Sequence, residues 1–312
     1  MIIVRFTSGL GNQMFQYNLY SLLREKYPGV KVKADVTWFY TEDEHHGFEL
    51  NRIFKNVPGS LFDIEEATAY EIYSVSGQIP TPVKGILARP VKYLLGPVNR
   101  HLRESGKCEK CGVTFDHLQS RIDPETVQNL DPDRNYYIFG YFTEEAYYRD
   151  RMDVLRKELI FPPLVGENAA IAQKMEQEQS VSVHIRRGDY LSKTYSDTFL
   201  CLERDYYERA VGIMREHMKD PHFYMFSEDP DYVKREFDWL EEKTIVSINT
   251  GNDSFRDMQL MSRCKGNIIA NSTFSQWASI LNDNPGHITV YPAKYMINED
   301  TEIRNLPGWI RI

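Results

Sequence analysis

Short strand-like segments alternate with helix-like segments along most of the chain, and this alternation restricts the fold more than any other feature. The strand-like apolar runs of the second half are 181–185, 222–227, 243–247, 267–270 and 289–291. The segments with apolar residues at helical spacing are 206–217, 232–240, 253–262 and 275–281. Such alternation predicts an α/β fold with a parallel sheet covered by helices.

The first half shows the same pattern with one interruption. Its predicted elements are strand 2–6, helix 13–27, strand 30–36, strand 136–141 and helix 144–159. Prolines break the stretch at about 55–133, which we predict to be an insertion. Because Pro162, Pro163 and Gly166 form a stop, we expect a first domain at 1–165 and a second at 166–312.

Composition and charge exclude several classes of protein. The 312 residues are 42% hydrophobic and 26% charged, which is ordinary for a folded chain of enzyme size. A net charge of -8 argues against a general nucleic-acid binder, whose balance is normally basic. No apolar run reaches the roughly 20 residues of a transmembrane helix, and the chain starts with a strand pattern rather than a signal peptide. We therefore expect a cytoplasmic protein.

Two of the four cysteines, Cys108 and Cys111, form a C-x-x-C pair. His101 or His117 could join them in a zinc site, but a structural zinc usually needs four ligands and no second pair accompanies this one. We therefore expect a pair of loop thiols here rather than a metal site.

Two adjacent arginines, Arg186 and Arg187, directly follow a strand-like run, so they are expected at the end of a buried strand. Arginine keeps its charge in proteins, and its planar guanidinium matches a diphosphate in two-pronged geometry. The motif His-Ile-Arg-Arg-Gly-Asp-Tyr at 184–190 therefore predicts a site for an anionic, phosphorylated ligand.

Two further polar segments follow predicted strands, and all three are expected at one edge, because such sheets bind ligands beyond the carboxyl ends of their strands. Glu228 and Asp229 precede Pro230, so they either cap a helix or accept hydrogen bonds from a ligand. The segment 271–275, Asn-Ser-Thr-Phe-Ser, either caps the next helix or offers hydroxyls and amides to a phosphate. Arginines opposite such a helix start indicate a diphosphate.

A glycine-bearing turn, Ser-Gly-Leu-Gly-Asn-Gln at 8–13, holds the same position between strand and helix in the first half. It does not match a dinucleotide-binding fingerprint, because Met14 stands where the third glycine belongs and Asp35 alone does not restore the pattern. Gly9 and Gly11 would instead let a ligand approach the backbone closely.

Four segments in register resemble the successive motifs of the bacterial alpha-1,2-fucosyltransferases, glycosyltransferase family 11. They are 9–17, 184–190, 226–230 and 271–277. The resemblance implies a GT-B fold, in which two Rossmann-like doubly wound domains face a central cleft, the N-terminal one on the acceptor side and the C-terminal one binding the GDP-sugar. It also implies inverting, metal-independent transfer of fucose from GDP-L-fucose to the 2-hydroxyl of a galactose in a surface glycan. The D-x-D pattern occurs twice, at 131–133 and 229–231, and its middle residue is a proline in both places. Such a proline suits a turn better than a metal-binding motif.

The resemblance also implies roles for individual residues. By this resemblance, Arg186 is expected to bind the β-phosphate and to be the main catalytic residue. The other expected catalytic residues rest on their positions and chemistry: Asn12, placed to meet the donor sugar or the acceptor, and Asp189, a candidate base. Asn12 is alternatively a helix cap. The residues expected to bind GDP-fucose are Gly9, Gly11, Gln13, His184, Arg187, Glu228, Asp229, Ser272, Thr273, Phe274 and Ser275.

Some of these roles have alternatives. His184 either binds guanine or ribose together with Asp229 or is a packed structural histidine. Arg187 either faces the ligand or pairs with Asp189. The general base that a concerted reaction needs is left open among three carboxylates: Asp189, Glu228 and Glu49.

A basic amphipathic stretch at 81–103 stands out in this acidic chain. It contains five lysines and arginines, no acid, and interleaved apolar residues. Such a stretch suits an anionic membrane surface and a lipid-linked acceptor at the inner face of the cytoplasmic membrane. The alternative is an ordinary packed insertion, since Pro90 and Pro97 are expected to break a long helix.

Two other functions fit parts of the sequence. A GDP-fucose-dependent protein O-fucosyltransferase shares the arginine and serine motifs, although the absence of a secretory signal pattern disfavours it. A non-catalytic module that binds a GDP-sugar or a glycan is the third hypothesis. It predicts binding without detectable transfer.

Overall fold

The computed structural model of the protein describes residues 1–42, 46–104, 112–116, 123–191, 197–297 and 305–312. The chain forms two compact units, Met1–Ile160 and Phe161–Ile312, each with its own parallel sheet. The mixed α/β class predicted from the alternating pattern is confirmed. Cys108, Cys111 and His117, considered above as zinc ligands, lie outside the described residues.

The first unit is built on a parallel sheet. Its described strands are β1 (Ile2–Arg5), β2 (Val32–Asp35), β3 (Val113–Asp116) and β4 (Tyr136–Phe139). Its described α-helices are α1 (Leu10–Lys26), α2 (Leu50–Phe54), α3 (Ala69–Ser76), α4 (Ala88–Glu104), α5 (Pro124–Gln128) and α6 (Met152–Glu158). The strand order is β2-β1-β4-β3, so β1 is central and the turn that follows it lies between the ends of β2 and β4.

The stretch predicted as an insertion contributes to this sheet. β3 pairs in parallel with β4, and residues 65–67 run along the outer edge of β2, where the amide of Ala67 donates to the carbonyl of Ala34 at 2.8 Å. The prediction that Pro90 and Pro97 break a long helix is wrong, because α4 continues through Pro97. Pro90 lies in its first turn, where no intrahelical N–H donor is needed. The predicted helix 144–159 is shorter, since two 3-10 turns precede α6.

The second unit is also built on a parallel sheet. Its described strands are β5 (Ser180–Ile185), β6 (His222–Ser227), β7 (Lys243–Val246), β8 (Gly266–Ile268), β9 (Ile288–Tyr291) and β10 (Ile310–Arg311). Its described α-helices are α7 (Gly166–Gln177), α8 (Arg204–His217), α9 (Pro230–Glu236), α10 (Phe255–Met261) and α11 (Thr273–Ile280). Every residue of β5 is buried, as expected for a central strand covered on both faces.

The order of this sheet, β10-β9-β8-β5-β6-β7, creates a switch point beside β5. The chain passes from β5 to β6 and β7 on one side and then crosses to β8 and β9 on the other. Ligands of parallel α/β sheets bind at the carboxyl ends of the strands next to such a reversal. The sequence pattern missed α7 because this helix is mostly polar and buries only Ala172 and Met175.

Candidate functional site

Three of the sequence motifs meet at the carboxyl edge of the second sheet, as predicted. Arg186 follows β5, Glu228 follows β6, and Ser272 lies shortly after β8. These strands are neighbours in the order β8-β5-β6 and run parallel, so their carboxyl ends lie side by side. The switch point between β5 and β8 lies at the same edge.

The two arginines have different partners. The guanidinium of Arg186 forms an ion pair with the carboxylate of Glu228 and lies 5.3 Å from the centre of the Tyr190 ring. The guanidinium carbon of Arg187 lies 3.5 Å from the centre of the Tyr232 ring, and its Nε lies 3.9 Å from Asp229 Oδ2. That Nε is buried and has no hydrogen-bond partner among the described residues. β5 ends at Ile185, so the alternation of a strand does not set the directions of the two arginine side chains. Because their partners differ, Arg186 and Arg187 are not interchangeable.

The predicted pairing of Arg187 with Asp189 stays a prediction. The side chain of Asp189 lies outside the described part of the chain. The described partner of Arg187 is instead Asp229, which also caps α9 by accepting from the amide of Tyr232 at 2.9 Å. The capping interpretation of Asp229 is thus confirmed, and its second oxygen faces a cation.

The turn before α11 uses some of its hydroxyls internally. Ser272 is the N-cap of α11, and its Oγ accepts from the amide of Phe274 at 3.3 Å. The fully buried Ser275 accepts from the amide of Ala270 at 3.2 Å and donates to the carbonyl of Ser272 at 3.3 Å. Thr273 and Phe274 are half-buried and lie where the helix opens. Ser275 therefore shapes the turn, and Thr273 is the better placed hydroxyl for a ligand.

The loop at 186–190, here called the arginine loop, is hydrogen-bonded to the turn before α11. The hydroxyl of Tyr190 donates to the carbonyl of Asn271 at 2.8 Å, and its ring stacks on Phe199 at 4.6 Å between centroids. Asn271 in turn donates through Nδ2 to the carbonyls of Leu200 and Tyr295. These bonds fix the spacing between the loop that carries the arginines and the start of α11.

His184 is a neutral imidazole beside the arginines. Its side chain lies in β5, only 5% of the residue is exposed, and its ring centre is 5.8 Å from that of Phe274. Burial, assisted by the nearby charge of Arg186, lowers the pKa of His184 to about 3. Its Nδ1 has no hydrogen-bond partner among the described residues. A buried nitrogen of this kind is costly unless a ligand or water completes it.

The turn after β1 is held by the side chain of Gln13. This amide is fully buried and donates to the carbonyls of Ser8, at 2.8 Å, and Gly47, at 2.9 Å. Its oxygen accepts from the amide of Glu49 at 2.9 Å. Since both donors and the acceptor are engaged, Gln13 positions these loops, and the substrate-binding role expected for it stays a prediction.

Sequence reasoning missed Gln16, one helical turn further along α1. This buried amide accepts from the amide of Thr7 at 3.0 Å and donates to the carbonyl of Gly140 at 3.0 Å. The sequence feature that could have identified it is the i, i+3 spacing of two glutamines, Gln13 and Gln16, within an apolar helix face. Asn12 is half-exposed in the first turn of α1, and the cap is Gly9, so Asn12 is not the helix cap.

The glycines of this turn do not supply its unusual backbone. Gly9 is extended, with φ -73 and ψ 171, whereas the positive φ of +66 belongs to Ser8. A hydrogen bond between the hydroxyls of Ser8 and Tyr141, at 3.1 Å, joins the ends of two neighbouring strands. Gly11 is buried in the first turn of α1.

Among the candidate bases, Glu49 is enclosed. Only 3% of it is exposed, and its Oε1 lies 2.7 Å from the guanidinium of Arg52. Burial raises the pKa of Glu49 to about 7, because the loss of solvation outweighs the nearby positive charge. Glu49 is placed to orient Arg52, whereas Glu228, the second candidate, is paired with Arg186.

The profile of Glycosyl transferase family 11 matches residues 114–312, which include every motif of the second sheet. The chain belongs to glycosyl transferase family 11. It is therefore a glycosyltransferase, and the family resemblance noted from the motifs is confirmed.

Relatives of this family 11 enzyme match over nearly its whole length. The O-antigen biosynthesis glycosyltransferase WbnK of Escherichia coli is 27% identical over 98% of both chains. An alpha-1,2-colitosyltransferase of Escherichia coli is 26% identical over 96% of this chain and 94% of the relative. The crystal structure of fucosyltransferase NodZ from Bradyrhizobium is also similar, with a TM-score of 0.46 and 15% identity over 92% of this chain and 96% of that one.

The described residues of this family 11 enzyme lack two structural features. They contain no group of three histidine, cysteine, aspartate or glutamate side chains arranged to hold a metal ion. None of their helices combines the length and apolar character needed to cross a membrane.

Proposed function

We propose that the protein transfers L-fucose from GDP-L-fucose to the 2-hydroxyl of a galactose in a surface glycan, with inversion at the anomeric carbon. The observation that carries this proposal is the meeting of Arg186, Arg187 and the start of α11 at one edge of three adjacent strands. Guanidiniums that share a sheet edge with a helix N-terminus suit a diphosphate. The family, and the activities that the relatives' names describe, support a nucleotide-sugar donor.

The proposed mechanism places positive charge where negative charge develops. As the bond between the anomeric carbon and the phosphate breaks, charge accumulates on the departing GDP, and fixed cations and donors aimed there lower the barrier. Arg186 binds the β-phosphate by exchanging Glu228 for a phosphate oxygen. Thr273 and the first amides of α11 supply further donors, while the neutral His184 offers its unpaired nitrogen to the nucleoside.

Two further parts of the proposal rest on the family resemblance: the two units form the GT-B arrangement, and no metal cofactor takes part. Asn12 meets the reacting sugars. Asp189 takes the proton of the acceptor hydroxyl, because Glu228 is paired with Arg186 and Glu49 is buried. The guanidiniums then do what a metal does in other glycosyltransferases, since a fixed cation also stabilises a leaving diphosphate.

A second donor is favoured by one relative. The alpha-1,2-colitosyltransferase uses, by its name, a sugar that lacks the 3-hydroxyl of fucose. A site that hydrogen-bonds that hydroxyl rejects the deoxy sugar strongly, whereas a site that merely tolerates it accepts both. Competition between GDP-fucose and GDP-colitose separates these two candidates.

The test is transfer of labelled fucose to lactose, N-acetyllactosamine and galactosyl-β1,3-N-acetylgalactosamine, followed by linkage analysis. We expect an alpha-1,2 product with at least one acceptor, formed at the same rate in excess EDTA. Transfer to a protein hydroxyl alone would favour the O-fucosyltransferase hypothesis, and binding of GDP-fucose without transfer would favour the non-catalytic module. Loss in EDTA restored by magnesium or manganese would overturn the metal-free mechanism.

We also propose that α4 and the turn before it bind the inner surface of the cytoplasmic membrane. Ile86, Tyr93 and Leu94 are 94%, 83% and 70% exposed, an unusual set of large apolar side chains in one segment. Arg89 donates to the carbonyl of Thr41, so the helix is held against the unit with this apolar surface outward. The absence of acids from 81–103 matches an anionic lipid surface, and a lipid-linked acceptor would be presented there.

Vesicle sedimentation tests this surface. The protein is expected to bind phosphatidylglycerol vesicles and to bind pure phosphatidylcholine vesicles more weakly. The double variant Ile86→Ser with Leu94→Ser should weaken binding at least about tenfold, because each side chain loses its burial in the lipid. The matched control is Leu61→Ser, at a leucine 66% exposed elsewhere in the unit. Equal binding of both vesicle types, or an equal effect of the control, would refute the proposal.

A further inference from the structure

The first unit contains a pocket that the proposed mechanism does not use. Its volume is about 360 Å³, enough for a sugar ring and part of a second. Val36, the residue directly after β2, lies in its wall, so the pocket opens at the carboxyl end of a parallel strand. That end is where a sheet of this type presents its ligand.

One wall of the pocket is a fixed aromatic surface made by Phe39, Tyr40 and Phe48. The rings of Phe39 and Phe48 pack with centroids 5.5 Å apart, and Phe48 is held from behind by Phe6 at 5.7 Å. Trp38 packs edge-on against Phe39 at 5.0 Å. A rigid apolar surface of this kind suits the C–H face of a pyranose ring.

The remaining walls carry polar groups of mixed charge. Asn51 donates to Glu66 at 3.3 Å, while its own Oδ1 is buried and has no hydrogen-bond partner among the described residues. Lys84 lies over the Tyr40 ring at 4.5 Å, and Arg52 also lines the pocket. Because cations and a carboxylate share the pocket, its chemistry favours a neutral ligand rich in hydroxyls over a phosphate.

The turn motif of the first half holds one wall of this pocket in place. Gln13 binds the backbone of Gly47 and Glu49, on both sides of Phe48. Glu49 in turn holds the guanidinium of Arg52 at 2.7 Å. Gln13 and Glu49 are therefore positioning residues, and the Gly-Asn-Gln motif acquires a role at the pocket without contacting the ligand.

We infer that this pocket binds a neutral hexose of the acceptor glycan, with Asn51 Oδ1 accepting a sugar hydroxyl and the aromatic wall carrying the ring. The inference rests on the proposed function for the identity of the glycan. It also makes Asn51, Arg52 and Phe48 determinants of acceptor choice. The residues that the proposed function assigns to the donor, in the arginine loop and at the start of α11, play no part in this inference.

The test compares Asn51→Ala with the wild-type protein, using whichever of the three galactosides is the best acceptor. We expect the KM for that acceptor to rise about tenfold, because a buried hydrogen bond to the sugar is lost, and the KM for GDP-fucose to stay unchanged. Gln78→Ala, at an exposed glutamine of the same unit, is the matched control. An unchanged acceptor KM, or an equal rise in both KM values, would refute the pocket assignment.

A binding measurement keeps this test separate from the proposed function. Calorimetric titration of the same galactosides requires no transfer, and Asn51→Ala should weaken their binding by a similar factor. Absence of transfer with intact, Asn51-dependent binding contradicts the fucosyl-transfer proposal alone. Transfer or binding that Asn51→Ala leaves unchanged contradicts the pocket assignment alone. Wild-type protein that binds none of the three galactosides also refutes the pocket assignment.

Discussion

Replacing Arg186 with alanine should lower fucosyl transfer by at least about a hundredfold, because the departing diphosphate loses its main fixed cation. The loss should fall mainly on kcat, since negative charge on the β-phosphate grows in the transition state. The protein should stay folded, because the partner left behind, Glu228, has a side chain 42% exposed and can be solvated. Steady-state kinetics with labelled GDP-fucose, together with circular dichroism, measures both effects.

Two variants sharpen this prediction. Arg186→Lys keeps the charge but loses the planar fork, so its activity should lie between those of the wild type and Arg186→Ala. Arg209→Ala removes an arginine from an exposed ion pair with Asp205 on α8 and should leave transfer unchanged. If Arg186→Ala keeps more than about a tenth of the activity, the loss is smaller than removal of one charge-stabilising donor usually causes, and the role assigned to Arg186 is wrong.

Replacing Gln13 with alanine should destabilise the first unit and impair use of the acceptor. Three groups lose their partner, the part-buried carbonyls of Ser8 and Gly47 and the buried amide of Glu49. We expect the free energy of unfolding to fall by about 1–3 kcal/mol, the cost of leaving a buried polar group unpaired, because water can solvate the two carbonyls in part. The loop that carries Phe48 should also shift, lowering kcat/KM for the acceptor about tenfold or more. Urea unfolding and acceptor kinetics measure the two effects.

The controls for Gln13 separate its hydrogen bonds from its bulk. Gln13→Glu retains an acceptor for the amide of Glu49 but sets a carboxylate against two carbonyls, so it should not restore stability. Gln78→Ala removes an exposed glutamine and should leave both measurements near wild type. Unfolding of Gln13→Ala at wild-type urea concentration would show that these hydrogen bonds do not hold the turn.

The donor side of the site could be predicted well from local sequence. Apolar runs located β5, β6 and the strand before α11, and the rule that parallel strands present ligands at their carboxyl ends then brought the three motifs together. Capping by Asp229 followed from Pro230 at the first helical position. These inferences needed only neighbouring residues, which explains their success.

The roles that sequence reasoning missed depend on contacts between distant residues. Gln13 forms hydrogen bonds to Gly47 and Glu49, which lie 34 and 36 positions away along the chain. No local sequence pattern predicts these bonds. The buried Ser275 closes a turn whose shape is unknown until the fold is known. α7 was missed because its helical surface is polar, and β3 because its four residues, Val-Thr-Phe-Asp, include only two apolar side chains.

The ion pair between Arg186 and Glu228 affects how an anion can bind to this arginine. In the proposed function, binding of the diphosphate exchanges one anionic partner of the guanidinium for another and does not neutralise a bare charge. Free inorganic anions must compete with a tethered carboxylate, which is always present at high local concentration. In the proposed cycle the same carboxylate pairs with the arginine again as GDP departs, so the guanidinium has an anionic partner at every stage.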